Sequence, residues 1–112
     1  MEDLMAEILS ELIIELELNI EDEEDAKSLN ILKIKLKNAM REIESAFNFK
    51  NYHTEEFILS EMTKHIGNIK DLTLYDYNHV GIEGETSHSE KNIERTYKSR
   101  EKCFNGIVRF AD

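Results

Sequence analysis

The chain has 112 residues, 40% hydrophobic and 34% charged, with four glycines and no proline; this suits one folded domain and is too apolar for a disordered chain of such charge. Twenty-four Asp and Glu against 14 Lys and Arg give a net charge of −10, and such a surface repels phosphate and argues against tight DNA binding. A single cysteine, Cys103, excludes an internal disulfide, and no basic, apolar leader or run near the ~20 apolar residues of a membrane span is seen, so assembly in a reducing cytoplasm is expected.

From Glu2 to about Leu16, the residues Met5, Ile8, Leu9, Leu12 and Leu16 recur at three- and four-residue steps with glutamates between. This is the pattern of an amphipathic helix. Ile13 and Ile14 widen its apolar stripe, so the helix either packs on its own domain alone or also meets a neighbouring subunit. Leu16, Leu18 and Ile20 alternate briefly before the acidic run EDEED at 21–25. That run reads as a helix start, with Asp22 as N-cap and the following carboxylates near the positive end of the helix dipole. A calcium site there would lack the ligand spacing and the turn glycine.

The second helix is predicted from Glu23 to Phe47 on the stripe Leu29, Leu32, Leu36, Ala39, Met40, Ile43, Ala46 and Phe47. Lys33, Lys35, Lys37 and Arg41 gather basic charge along it. Glu42, Glu44 and the acidic start make that face a solvated or subunit-pairing one rather than a nucleic-acid site. NFKNYH at 48–53 reads as a connection, and Thr54 as the N-cap of a third helix with Glu55 and Glu56 in its first turn. The third helix carries Ile58, Leu59, Met62, Ile66, Ile69 and Leu72 and ends near Tyr77. Gly67 inside it costs ~1 kcal/mol relative to alanine, which suggests that another backbone approaches there.

Helical periodicity stops in LYDYNHVGIEGETSHSEKNIERTYKS, residues 74–99. Gly81 and Gly84 permit positive φ, Asn78 tolerates the left-handed region, and Thr86, Ser87 and Ser89 offer hydroxyls to nearby backbone, the composition of a built turn. Ile93, Arg95 and Tyr97 then alternate with Glu94, Thr96 and Lys98, the two-residue period of a short hairpin-like strand. Ser99 to Asp112 opens with a helix-compatible turn and presents Phe104, Ile107, Val108 and Phe110 around Gly106. On the residues alone, this apolar segment folds back onto the helical hairpin.

Candidate chemistry is sparse. His53, His65, His79 and His88 lack the HExxH or His-x₃-His spacing that sets two imidazoles on one helix face, and there is no CxxC. Asp76 and His79 form a conceivable acid/base pair, but no nucleophile is tied to them and structural hydrogen bonding is the better use. GIEG at 81–84 has the outline of a phosphate-clamping Gly-x-x-Gly loop, yet Glu83 and Glu85 would repel phosphate. Tyr75, Tyr77 and Tyr97 are read as interface or core aromatics rather than a base-stacking platform, and Cys103 as a small apolar residue.

The series YDYN at 75–78, GIEGETSHSE at 81–90 and RTYKS at 95–99 resembles, in order and spacing, the signature of the small head-tail connector proteins of tailed bacteriophages. The resemblance spans most of the chain and rests on residues 74–99. It implies a mainly α single domain: a helical core at 1–78 (an N-terminal helix plus a long helical hairpin), a loop and short β-hairpin-like strand at 79–99, and a C-terminal docking segment at 100–112. It also implies a homo-oligomeric ring, commonly a dodecamer, beneath the portal protein at the virion neck. Such a ring extends the DNA channel, through which DNA passes without specific binding, and offers a platform to a stopper or tail-completion protein. No catalysis, cofactor, metal or membrane is implied. Tyr75, Tyr77, Asn78, Gly81, Gly84, Arg95 and Tyr97 are expected to form the inter-subunit joint. Phe104, Ile107, Val108, Arg109 and Phe110 are expected to dock on the portal from a tail that is mobile in the isolated protein. The alternative is a small helical protein-binding or regulatory module unrelated to a virion.

Overall fold

A computed structural model describes residues 1–79 and 100–111 of the chain. The described part is mainly helical: α1 is Glu2–Glu15, α2 Glu23–Phe47, α3 Glu55–Lys64 and α4 Ile66–Asn78, followed by a 3₁₀ helix at Arg100–Phe104. Among the described residues there is no strand. The one expected through Ile93, Arg95 and Tyr97 lies outside them, as does the loop with Gly81 and Gly84.

The helix limits follow from local chemistry. Asp22 caps α2 by accepting the Glu24 N–H at 3.0 Å through Oδ1, and Asp25 Oδ2 reaches back to the Asn19 N–H at 2.8 Å. Two of the acids in EDEED are thus occupied in starting a helix, as their position suggests. Thr54 Oγ1 likewise accepts the Phe57 N–H at 3.1 Å and starts α3. At the end of α1 the Glu17 N–H bonds to the Ile14 carbonyl and the Leu18 N–H to the Ile13 carbonyl. That pairing is a Schellman turn, and it holds Glu17 at φ 54° where glycine is the usual occupant. Asn48 ends α2 in the same left-handed region at φ 57°, which its short polar side chain tolerates.

The core forms where α1, α2 and α4 meet. Leu4, Ile8 and Leu12 of α1, Leu32, Leu36, Ala39, Ile43 and Phe47 of α2, and Ile69, Leu72 and Leu74 of α4 are buried together. Burying a side chain of this kind contributes roughly 1.5–3 kcal/mol. The one buried hydroxyl on α4, Thr73, is satisfied by the Ile69 carbonyl at 2.7 Å. Across the outside of this contact Lys70 of α4 bonds to Glu11 and Glu15 of α1, which raises the Lys70 pKa above its ordinary value.

Two expectations are corrected. The third helix is not continuous to Tyr77 but breaks at His65, which sits at φ −115° and ψ 30° between α3 and α4. There the His65 N–H turns to the Met62 carbonyl while its ring Nδ1 pairs with Asn68 Oδ1 at 3.0 Å. The break lets α4 lie against α2 while α3, with only Met62 buried, stays at the surface. Gly67 is also not a point of close approach. Nothing lies within 4 Å of where its Cβ would be, and the glycine falls in the first turn after the break.

Candidate inter-subunit site

The chain leaves the described helices at His79 and returns at Arg100, and one side chain ties the two points together. The Arg100 guanidinium donates from Nε to Asp76 Oδ1 and from a terminal nitrogen to Asp76 Oδ2, both at 2.9 Å. Its other donors reach the Glu42 carboxylate of α2. One planar cation therefore bridges α2, the end of α4 and the start of the 3₁₀ helix. Both acids hold it charged, Asp76 more than Glu42, and its pKa is raised further above the ordinary arginine value. A bidentate fork of this kind fixes direction as well as distance. The base of the segment between residues 79 and 100 is thereby closed, so its loop-closure entropy is met by the folded core.

Of the residues expected at the inter-subunit joint, Tyr75, Tyr77 and Asn78 fall on the last turn of α4, beside this clamp. Tyr75 and Tyr77 are half-buried and packed against the core, and Asn78 is buried. Gly81, Gly84, Arg95 and Tyr97 lie outside the described residues. The side chains of Asp76 and His79 do not pair with each other, although the His79 N–H bonds to the Asp76 carbonyl at 3.3 Å. Asp76 holds Arg100, whereas His79 donates from Nδ1 to the Tyr75 carbonyl at 2.6 Å and stacks on the Tyr75 ring at 4.1 Å. Both serve structure, as the sequence indicated. Arg100 is not singled out by the sequence, and Glu42 enters there only as part of a solvated or subunit-pairing face. The available signal was an arginine immediately after the motif segment, but its partners are 24 and 58 residues away.

The C-terminal segment departs from the expectation of a free docking tail. Cys103 is buried, and Phe104, Ile107 and Phe110 pack against the core. Asn68 of α4 donates to the carbonyls of Cys103 at 2.9 Å and Asn105 at 2.7 Å. Gly106, at φ 86°, turns the chain after the 3₁₀ helix, so this glycine shapes the segment instead of loosening it. The Phe110 N–H then bonds to the Phe47 carbonyl at 2.9 Å, and Asn48 Nδ2 donates to the Phe110 carbonyl at 2.8 Å. The Phe110 ring enters an aromatic group with Phe49, His53 and Phe57 at centroid distances of 5.6, 4.6 and 5.8 Å. The physical reason is complementarity: the 48–53 connection and the start of α3 leave an aromatic cradle at this end, and the tail supplies the ring that fills it. Val108, 76% exposed, and Arg109 remain on the outside.

No curated protein and no solved structure matches the chain. The family model of the phage gp6-like head-tail connector proteins, however, matches residues 9–109, a span that includes α2, α3, α4 and the 3₁₀ helix. The chain therefore belongs to the phage gp6-like head-tail connector family.

Proposed function

We propose that the protein acts as a structural virion component that assembles into a ring, commonly dodecameric in this family, beneath the portal. There it extends the DNA channel and carries the stopper or tail-completion protein. The observation that carries this reading is the family match over residues 9–109. The clamp of Arg100 on Asp76 and Glu42 supports it, because it gives the motif-bearing segment a rigid base from which to reach a neighbour. Assembly takes place in the host cytoplasm and the product is located at the virion neck. The net charge of −10 suits a conduit wall that DNA slides past without being held.

Portal docking now falls to Val108 and Arg109, the outward residues of a tail whose other apolar side chains are used within the chain. Cryo-electron microscopy of the virion neck tests the reading directly. A ring of this chain between portal and tail is expected, and removal of its gene is expected to give filled heads that leak DNA or lack tails. Tailed, infectious particles without the chain would overturn it in favour of a regulatory or protein-binding role.

A further inference from the structure

Charge is segregated along this chain. The first 26 residues contain eleven Asp or Glu and no Lys or Arg, whereas residues 27–41 contain five Lys or Arg and no Asp or Glu. The fold places these two blocks on different outward faces. On α1, the residues Asp3, Glu7, Ser10 and Ile14 follow four-, three- and four-residue steps and are all exposed, opposite the buried stripe of Leu4, Ile8 and Leu12. On α2, Lys33, Lys37 and Arg41 follow four-residue steps with Ile34 beside them, again exposed and opposite the core.

Each charged face carries a large exposed apolar residue at one end: Ile14, at the C-terminal end of the α1 face, is 75% exposed and Ile34, at the N-terminal end of the α2 face, 58%. Among the described residues no ion pair involves Asp3, Glu7, Lys33, Lys37 or Arg41, whereas Glu11 and Glu15, on the flank of α1, are committed to Lys70. α1 and α2 pack on one another through their opposite, apolar sides, so the two outward faces cannot meet within one chain. They are different patches, and a contact between them is heterologous, the type that propagates head to tail and forms a ring where its rotation closes.

We propose that the Lys33–Ile34–Lys37–Arg41 face of α2 binds the Asp3–Glu7–Ile14 face of α1 from a second copy of this chain, the two helices antiparallel, with Ile34 against Ile14 at one end and the opposite charges facing along the rest. The pairing rests on the ring reading above for its use in the virion, and on complementary charge and the exposed isoleucine on each face for its occupant. Charge steering and register are what the facing charges supply, and the apolar contact at one end helps to hold the pair once formed.

The test uses two full-length variants, Lys33→Glu with Lys37→Glu, and Asp3→Lys with Glu7→Lys, with oligomeric state read by analytical ultracentrifugation in low salt. Wild type is expected to self-associate and to weaken as salt rises. Each variant alone should need roughly tenfold or more protein to associate, because like now faces like. An equal mixture should recover association, since in an alternating assembly every acidic face meets a basic one. Circular dichroism of the separate variants controls for folding, and Ile34→Ser offers a charge-neutral second probe that should weaken association in the same direction.

Wild type that stays monomeric in low salt, variants that associate as wild type does, or a mixture that fails to recover would each overturn the contact. Duplex DNA bound by wild type and lost in the Lys33→Glu, Lys37→Glu variant with association unchanged would reassign the α2 face to nucleic acid. The ring reading fails separately, if the neck lacks the chain. A neck ring that forms normally from either charge variant alone would remove this interface and leave the ring intact.

Discussion

Replacing Phe110 by alanine separates a tail that belongs to the fold from one that merely lies near it. A fully enclosed aromatic side chain buries about 150–250 Å². For the partly buried Phe110, about 100–130 Å² at about 25 cal/mol per Å² corresponds to ~2.5–3 kcal/mol, reduced to ~2 kcal/mol by the area a compact denatured chain already hides. The substitution leaves the Phe110 N–H bond to Phe47 and the Asn48 bond to the Phe110 carbonyl available. The loss is therefore of ring contacts with Phe49, His53 and Phe57. Urea unfolding at fixed protein concentration should show a loss of ~2 kcal/mol, equivalent to a Tm lower by roughly 8 °C for a chain of this size. Asn48→Ala should cost a further ~1 kcal/mol for the hydrogen bond and about 1 kcal/mol more for alanine in the left-handed region, and the hydrogen-bond part should couple to Phe110→Ala in a double-mutant cycle because both act on the same residue. Hydrogen exchange supplies an independent readout, with the Phe110 amide protected in wild type. A loss below about 0.5 kcal/mol, together with an unprotected Phe110 amide, would refute the packing and restore a free docking tail.

The remaining predictions probe other parts of the argument. Glu17→Gly, which relieves a left-handed residue, and Gly67→Ala, where a Cβ meets nothing, should each stabilise the fold by about 0.5–1 kcal/mol in thermal unfolding; destabilisation by either would contradict the local geometry. Lys70, whose pKa is raised by Glu11 and Glu15, contributes stability that is complete below its unfolded value of ~10.4 and is lost as pH rises through the higher folded value. The gap between wild type and Lys70→Gln should therefore be at most about 1 kcal/mol at neutral pH and should close in the alkaline range, which pH-dependent urea midpoints will show. Gly84→Val should impair ring formation while the helical circular-dichroism signal is kept, and normal rings from this variant would remove the segment from the inter-subunit joint. Val108→Asp should leave stability within about 0.5 kcal/mol, as expected for an exposed site, yet reduce co-sedimentation with the portal; unchanged co-sedimentation would move the portal contact elsewhere.

Local chemistry accounts for what could be read without the fold. Asp22 and Thr54 cap the helices they precede because a side-chain oxygen two or three residues from an unsatisfied N–H needs no tertiary partner. The limits of α2, Glu23–Phe47, follow from its capping acid and its apolar spacing, and the Tyr-Asp-Tyr-Asn, Gly-x-Glu-Gly and Arg-Thr-Tyr series indicated the family that the match over residues 9–109 establishes. Those signals are carried by neighbours in the chain.

The tertiary structure decided the rest. Whether α3 and α4 are one helix depended on the fit of α4 against α2, which the break at His65 permits. Whether the tail is free depended on an aromatic cradle formed by Phe49, His53 and Phe57, whose partner Phe110 arrives from the far end of the sequence and is held by Asn48 62 residues away. Arg100 acquired its role in the same way, from carboxylates on two other helices. Spacing along a chain reports which side of a helix is apolar and where a helix starts. It carries no information about which distant group will fill a cradle or receive a charge, because that is set by shape and distance only after the helices have packed.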